Sequence, residues 1–263
     1  MPAASETPLI AFRDVTKAFG EQVLYTGLSL DVFKGETLTI LGPSGCGKSV
    51  MLKMLIGLIS YDGGSIRFED CEVAPMAPDA LSKLRVRIAY LFQSAALFDS
   101  MTVLDNVAYG LRERFWDTMP EDAILERVRR SLARVGLEGT GHMMPSDLSG
   151  GMRKRAGLAR TLALEPDVLL YDEPTTGLDP INTARINELI VQIQKELGLT
   201  SIVVTHDMKT AFHVSNRLCM LGRGRVHLVG TPEEFHRTTD PYVRAFVEGT
   251  VLADDASQDL VPT

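Results

Sequence analysis

Apolar positions along the chain first alternate and then gather into runs. The stretches "LIAFRDV" (residues 9–15) and "VLYTGLSLDVF" (23–33) alternate apolar with polar residues and carry β-branched side chains, the pattern of half-buried strands. "GGSIRFED" (63–70) opens on a glycine pair, like a hairpin or the exit of a turn. The first part of the chain therefore predicts antiparallel β structure. From Leu38 the pattern changes to a strand "TLTILG", a helix from Lys48, a strand "RIAYLF", a helical middle, a strand "VLLYD", a helix, and a strand "SIVVTH". Such alternation predicts a mainly parallel sheet with crossover helices. In "EDAILERVRRSLARVG" the residues Ile124, Leu125, Val128, Leu132 and Val135 fall on one helical face, so the middle, Gln93 to Ala163, reads as a helical lobe. After Gly230, "TPEEFHRTTDPYVRAFVEG" predicts two short helices, the first capped by Thr231 with Pro232 at its first position. Val243, Phe246 and Val247 make a small apolar stripe there, which docks on its own domain or on a partner. The acidic tail beyond Gly249 has no periodicity and is expected to be mobile.

Composition narrows the function classes. A chain of 263 residues accommodates one large α/β domain or a core with a lobe. A net charge of -7 argues against a general nucleic-acid binder, which needs a basic face for phosphates. Cys46, Cys71 and Cys219 are widely spaced and match no metal-ligand pattern, so a reducing compartment without disulfides is expected. No basic segment followed by an apolar stretch opens the chain, and no apolar run approaches the roughly 18 residues of a membrane span. The expectation is a protein that is soluble or peripheral to a membrane.

Chemistry concentrates in four places. "GPSGCGKS", Gly42 to Ser49, matches G-x-x-x-x-G-K-[ST] and lies between a predicted strand and a predicted helix. Glycines let the backbone wrap a phosphate with its N–H groups inward, and the helix start adds partial positive charge. Lys48 is placed to reach the outer phosphates, and the Ser49 hydroxyl to ligate Mg²⁺. A plain Gly-rich turn is the alternative, and the Lys-Ser pair in this context speaks against it. "VLLYDEP" delivers Asp172 and Glu173 to the end of a buried strand, where α/β ligands bind; Asp172 suits a Mg²⁺ ligand through water and Glu173 a base for attacking water. Both residues would otherwise merely cap a helix. "SIVVTHD" places His206 at a similar strand end, although a lone histidine is more often structural. In "DLSGGMRKR", Ser149 reads as the N-cap of a helix whose bare N–H groups form a second anion site. The plainer reading is a surface cap with Arg153, Lys154, Arg155 and Arg160 on a solvated face.

In this order, "GPSGCGKS", "LSGGM", "VLLYDEPTTGLD" and "VVTHD" resemble the ATP-binding cassette (ABC) ATPases over about Leu9 to Gly230. The resemblance implies an α/β fold of the P-loop NTPase, ABC type: a mixed sheet core with an antiparallel β part and a helical lobe. The corresponding domains are residues 1–92 (antiparallel β and phosphate loop), 93–163 (helical lobe), 164–248 (remainder of the core) and a tail at 249–263. It implies ATP and Mg²⁺ as cofactors, with Gly42, Pro43, Ser44, Gly45, Cys46, Gly47, Lys48, Ser49 and Val50 around the phosphates. Phe19 in "KAFG" corresponds to the aromatic residue that stacks on adenine, where the family more often has Tyr. Gln93 in "YLFQS" matches the Q-loop glutamine, which senses Mg²⁺ and links core to lobe. Ser149, Gly150 and Gly151 match the signature that contacts the γ-phosphate held by a second subunit; Met152 departs from the usual Gln. Asp179 matches the D-loop aspartate and His206 the switch histidine. The functional unit is then a head-to-tail dimer of two copies sandwiching two ATP molecules.

"YLFQSAALFDSMTVLDNV" and the Met-containing signature segment look most like the ATPase subunits of Mla/Mce-type transporters, which move phospholipid between the membranes of a Gram-negative envelope. That likeness implies an integral-membrane permease dimer and an Mce-domain lipid-binding protein as partners, no nucleic acid, and a place on the cytoplasmic face of the inner membrane. Whether a small regulatory subunit joins stays open. Residues 94–102 would face a permease coupling helix, or Leu97, Phe98 and Met101 would pack the lobe itself. An importer of another solute, a soluble ABC ATPase of repair or translation, and a non-hydrolysing regulator remain as other readings. Cys46, near a helix start, is expected to favour its thiolate and to react with maleimide unless MgATP protects it.

Overall fold

The computed structural model describes residues 7–250; the expected mobile tail lies, from residue 251 on, outside the described residues. Along the chain run β1 (Ile10–Phe19), β2 (Gln22–Val32), β3 (Thr37–Leu41), α1 (Lys48–Leu55), β4 (Gly63–Phe68), β5 (Cys71–Glu72), α2 (Pro78–Arg87) and β6 (Ile88–Leu91). Then follow α3 (Val103–Phe115), α4 (Glu121–Arg134), α5 (Gly150–Ala163), β7 (Val168–Asp172), α6 (Pro180–Leu197) and β8 (Thr200–Val204). The chain closes with α7 (Met208–Val214), β9 (Arg217–Gly222), β10 (Arg225–Gly230), α8 (Pro232–Arg237) and α9 (Pro241–Glu248). They form two compact units, the first from the N-terminal part up to Ala74 with the part from Thr205 on, the second Pro75–Val204.

In the first unit β2, β1, β4 and β5 form an antiparallel sheet in that order, as the alternating segments predict. β1 is irregular between Phe12 and Val15 against β2 and between Arg13 and Thr16 against β4, where Asp14 is left-handed (φ 47°). A Cβ on Gly64 would stand 2.4 Å from the Asp14 carbonyl, so this glycine admits the bulge rather than turning a hairpin. Beside these strands β3 pairs with β9 in parallel and β9 with β10 antiparallel. β3 is buried at every position and delivers the chain to Gly42. The expected C-terminal helices are both present. Thr231 and Glu234 close a capping box on α8, and Val243 of α9 packs with Phe235, Leu41 and Met220 in one core cluster.

The second unit holds the parallel strands β6, β7 and β8, with β7 between the other two. β7 and β8 are buried throughout and read as apolar runs, as sheets covered on both faces require. Helices α3, α4 and α5 pack on one another in this unit. α4 buries Ile124, Val128 and Leu132 on the predicted face, with Leu125 half-buried. Among the described residues no helix is long and apolar enough to cross a membrane.

Candidate nucleotide site

The loop between β3 and α1 is shaped by its glycines. Gly45 (φ 79°) and Gly47 (φ 104°) take left-handed conformations, and a Cβ on Gly47 would lie 2.5 Å from the Tyr25 hydroxyl. Tyr25 is buried on β2 and donates its O–H to the Gly47 carbonyl (2.6 Å), bracing the loop from behind. Nothing in the sequence pattern marks Tyr25 beyond its place in an alternating strand. Lys48, at 7% exposure, opens α1 and donates from Nζ to the carbonyls of Gly42 (2.7 Å) and Pro43 (3.0 Å), closing the loop into a ring. The first turn of α1 carries no acidic residue. A ring of this kind, with an ammonium at a helix start, is a site for phosphate.

Cys46 departs from expectation. Its sulfur tucks across the ring, within 2.8 Å of where a Cβ on Gly42 would sit, and burial pushes its thiol above the ordinary range; Lys48 offsets only part of this. The helix start does not win here, because desolvation acts on the whole charge of a thiolate.

In the same unit, Thr205 N–H donates to the Ile40 carbonyl (3.2 Å), which hangs the following His206 beside the end of β3. His206, Pro43 and Ser44 line a cavity of about 550 Å³ together with Met208 and residues 245–250 at the end of α9. The switch-histidine position and the phosphate loop are therefore brought together. Phe19, 48% exposed at the tip of the β1–β2 hairpin, presents its ring 4.9 Å from the Lys17 ammonium.

The second unit gathers the remaining candidates. Asp172 ends β7 at 6% exposure, and Tyr90 on the neighbouring β6 donates its hydroxyl to Asp172 Oδ2 (2.6 Å), which sets the carboxylate plane. Glu173 follows in a left-handed conformation (φ 50°), its N–H on the Val204 carbonyl (2.9 Å) and its Oε2 accepting from Thr176 (3.1 Å). Ser149 caps α5, accepting from Met152 N–H (3.2 Å), and both it and Gly150 are exposed. Gly151 is buried where a Cβ would stand 2.7 Å from Asn182 Oδ1. Asn182 also binds Asp179, the N-cap of α6, whose carboxylate is held below its ordinary range by hydrogen bonds from Asn182 and Ile181. Gly151 and Asp179 thus share Asn182 as a neighbour.

Of the four basic residues read on a solvated face only Arg153 is exposed, and it too donates to a carbonyl, that of Leu148 (2.7 Å). Lys154 is 6% exposed and donates to the carbonyls of Gln93 and Glu173, while Arg155 and Arg160 donate to carbonyls of residues 135–136 and 95–96. The side chain of Gln93 is itself exposed. Past it, residues 98–102 are pinned by one buried side chain, Asn106, which bonds Phe98, Met101 and Thr102. Phe98 stays 41% exposed, its ring 4.8 Å from that of Tyr109, whereas Leu97 and Met101 are half-buried.

No group of three or more His, Cys, Asp or Glu residues suited to a metal occurs among the described residues. Mg²⁺ shared with substrate phosphates keeps few protein ligands, and an oriented, nearly buried carboxylate such as that of Asp172 suits it.

Comparison with known proteins agrees with these features. A family model described as ABC transporter matches residues 25–176. The intermembrane phospholipid transport system ATP-binding protein MlaF of Escherichia coli K12 is 39% identical over 262 residues, 97% of each chain. The probable ribonucleotide transport ATP-binding protein mkl of Mycobacterium leprae is 40% identical over 91% of this chain and 69% of its own length. Among solved structures, cbiO1 of Clostridium perfringens, part of the transporter complex cbiONQ, superposes with a TM-score of 0.81 at 31% identity, covering 91% of this chain and 95% of that one. A dimeric cassette, MJ0796, in a post-hydrolysis state bound to ADP and Pi, gives 0.77 at 30% identity, with 85% and 98% covered. With its phosphate ring, its glycine-opened signature helix and this extent of likeness, the chain belongs to the ABC transporter family as one of its ATP-binding cassettes.

Proposed function

We propose that this chain is the ATP-hydrolysing motor of a transporter that carries phospholipid between the inner and outer membranes of a Gram-negative envelope. The observation that supports the motor most directly is the Lys48 ring with no acid in the adjoining helical turn. Lys48 exchanges the Gly42 and Pro43 carbonyls for outer phosphate oxygens, while the loop from Gly42 to Val50 supplies N–H donors. Ser49 and Asp172 hold Mg²⁺, with Gln93 sensing it; the ion supplies Lewis-acid charge at the phosphates when bound. Phe19 stacks on the base. Glu173 orients the attacking water and takes its proton, and His206 holds the γ-phosphate side.

Ser149, Gly150 and Gly151 serve a nucleotide held by a second copy of the chain, with Asp179 beside them, so the working form is a head-to-tail homodimer. The exposed Phe98 and Tyr109 rings favour the loop after Gln93 as the place where a permease docks. The dimer would then sit at the cytoplasmic face of the inner membrane through a permease dimer, with an Mce-domain lipid-binding protein completing the complex.

The phospholipid cargo is favoured by likeness to MlaF over 97% of both chains. The likeness to mkl favours a second cargo class, ribonucleotides. Affinity purification from native membranes in mild detergent, with mass spectrometry of proteins and extracted lipid, decides between them. Recovery of a permease, an Mce-domain protein and enriched phospholipid is the expected result; a permease without lipid, with nucleotide uptake lost on deletion, would transfer the assignment to the second cargo.

A further inference from the structure

Helix α5 meets the loop after β6 along one stripe of residues at three-residue spacing, Lys154, Gly157 and Arg160. Arg160 donates to the carbonyls of Ala96 (2.7 Å) and Ala95 (2.8 Å). A Cβ on Gly157 would stand 2.9 Å from that of Ala95, so the absent side chain is what lets helix and loop approach. Ala95 and Ala96 both have positive φ, 63° and 47°. Two successive residues in this region persist only where the surroundings over-determine them.

Lys154 reaches beyond the loop. Its Nζ donates to the carbonyl of Gln93 and also to that of Glu173 (3.3 Å). An ammonium offers three donors and no acceptor, so one side chain serves both carbonyls at once. Glu173 is the other backbone outlier here, fixed on its N–H side by Val204 and on its carboxylate by Thr176. Burial pushes the Lys154 ammonium below its ordinary range, and the nearby charges of Glu173 and Asp172 offset only part of that cost. A side chain kept in such a place for packing alone would be apolar.

We infer that Lys154 is a positioning residue of the hydrolysis reaction: it ties the Q-loop backbone at Gln93 to the backbone of Glu173, so that displacement of that loop re-aims the carboxylate. Helix α5 then carries two messages, its capped start toward the partner's nucleotide and its fifth residue, Lys154, toward its own base. The inference rests on the reading of Glu173 as the base that orients water.

Lys154→Met keeps an unbranched chain one atom shorter and removes the donors, and Lys154→Arg keeps charge and donors. In steady-state assays Lys154→Met is expected to lower kcat about tenfold or more while KM for ATP changes by less than about threefold, the mark of a transition-state effect. Hydrogen exchange followed by mass spectrometry should rise together in peptides spanning 92–97 and 172–177, with α1 unchanged, and Lys154→Arg should restore part of both. Unchanged kcat, or a lowered Tm with faster exchange confined to α5, overturns the inference and leaves Lys154 a fold-stabilising residue. Glu173→Gln run in parallel separates the two ideas. Near-normal turnover of that variant removes the base assignment, whereas coupled exchange at the two loops reads the tie independently of turnover.

Discussion

Glu173 occupies a left-handed backbone conformation, uncommon for a residue with a side chain, and the strain is held from three sides. Glutamine keeps the oxygen that accepts from Thr176, so Glu173→Gln removes the basic charge with the local geometry intact. Phosphate release is expected to fall by about 10² or more, the scale of a lost general base, and an ATP-bound dimer should accumulate in size-exclusion chromatography. Turnover near that of the parent chain would take Glu173 out of the role. The three cysteines provide a second test at this scale. Cys71 is exposed, Cys46 half-buried and Cys219 buried, and burial pushes the Cys46 thiol up and the Cys219 thiol to about 12. A raised thiol pKa leaves the neutral, unreactive form in place at pH 7, and each unit costs about tenfold in thiolate. Maleimide should therefore label Cys71 first, Cys46 more slowly and faster as pH rises, and Cys219 only on unfolding. Labelling of Cys46 ahead of Cys71 at pH 7 would contradict this order.

Among the elements, α3 shows how the lobe is held. Thr102 caps it, accepting from Asp105 N–H (3.1 Å), and returns its own hydroxyl to Asp105 Oδ2 (2.6 Å), while Arg112 donates to Oδ1 (2.8 Å). Thr102 first and Arg112 second hold the Asp105 carboxyl below its ordinary value of 3.8. A depressed folded pKa contributes stability that is present above the unfolded value and lost as pH falls through the folded one. Asp105→Asn is thus expected to cost about 0.5–1 kcal/mol at pH 7, discounted because the pair is partly exposed. The gap from the parent chain in thermal or urea unfolding should close below pH 4; a gap that stays constant to pH 2 would place the effect elsewhere. The elements that the sequence announces are those with a long buried face or a cap, such as β3, β7, β8, α4 and α8. The β9–β10 hairpin escapes notice because its turn uses Arg223 and Gly224, at φ 48° and 75°, in place of the Asn-Gly pair that usually marks it. α2 escapes because only Leu84 is buried along it. The phosphate loop is legible since its chemistry is local. The roles of Lys154 and Tyr90 are not, nor is the contact of Asn182 with Gly151, because those partners lie at residues 93 and 173, at 172 and at 151, and no spacing rule joins such positions before the chain is folded; only the bond of Asn182 to Asp179 follows from N-cap spacing.

At the scale of the whole molecule, the question is whether one chain suffices for one hydrolysis. The phosphate ring is built in one unit, and the exposed Ser149 and Gly150 start a helix with no acid in its first turn in the other. Two copies related by a two-fold axis would each lend a signature to the other, which makes every site composite. Lys48→Ala disables the phosphate ring of a chain and leaves its signature; Ser149→Arg leaves the ring and places a bulky cation at the signature. Each variant alone should be nearly inactive. Mixed as nucleotide-free chains in equal amounts, half of the dimers would pair one of each, and every such dimer has one site with an intact ring and an intact signature. Sites counted that way amount to one quarter of those in the parent dimer, so recovery of up to about a quarter of parental turnover is expected if sites fire independently. A mixture as inactive as its components, under conditions where co-purification of differently tagged chains shows mixed dimers, would count against composite sites that fire independently.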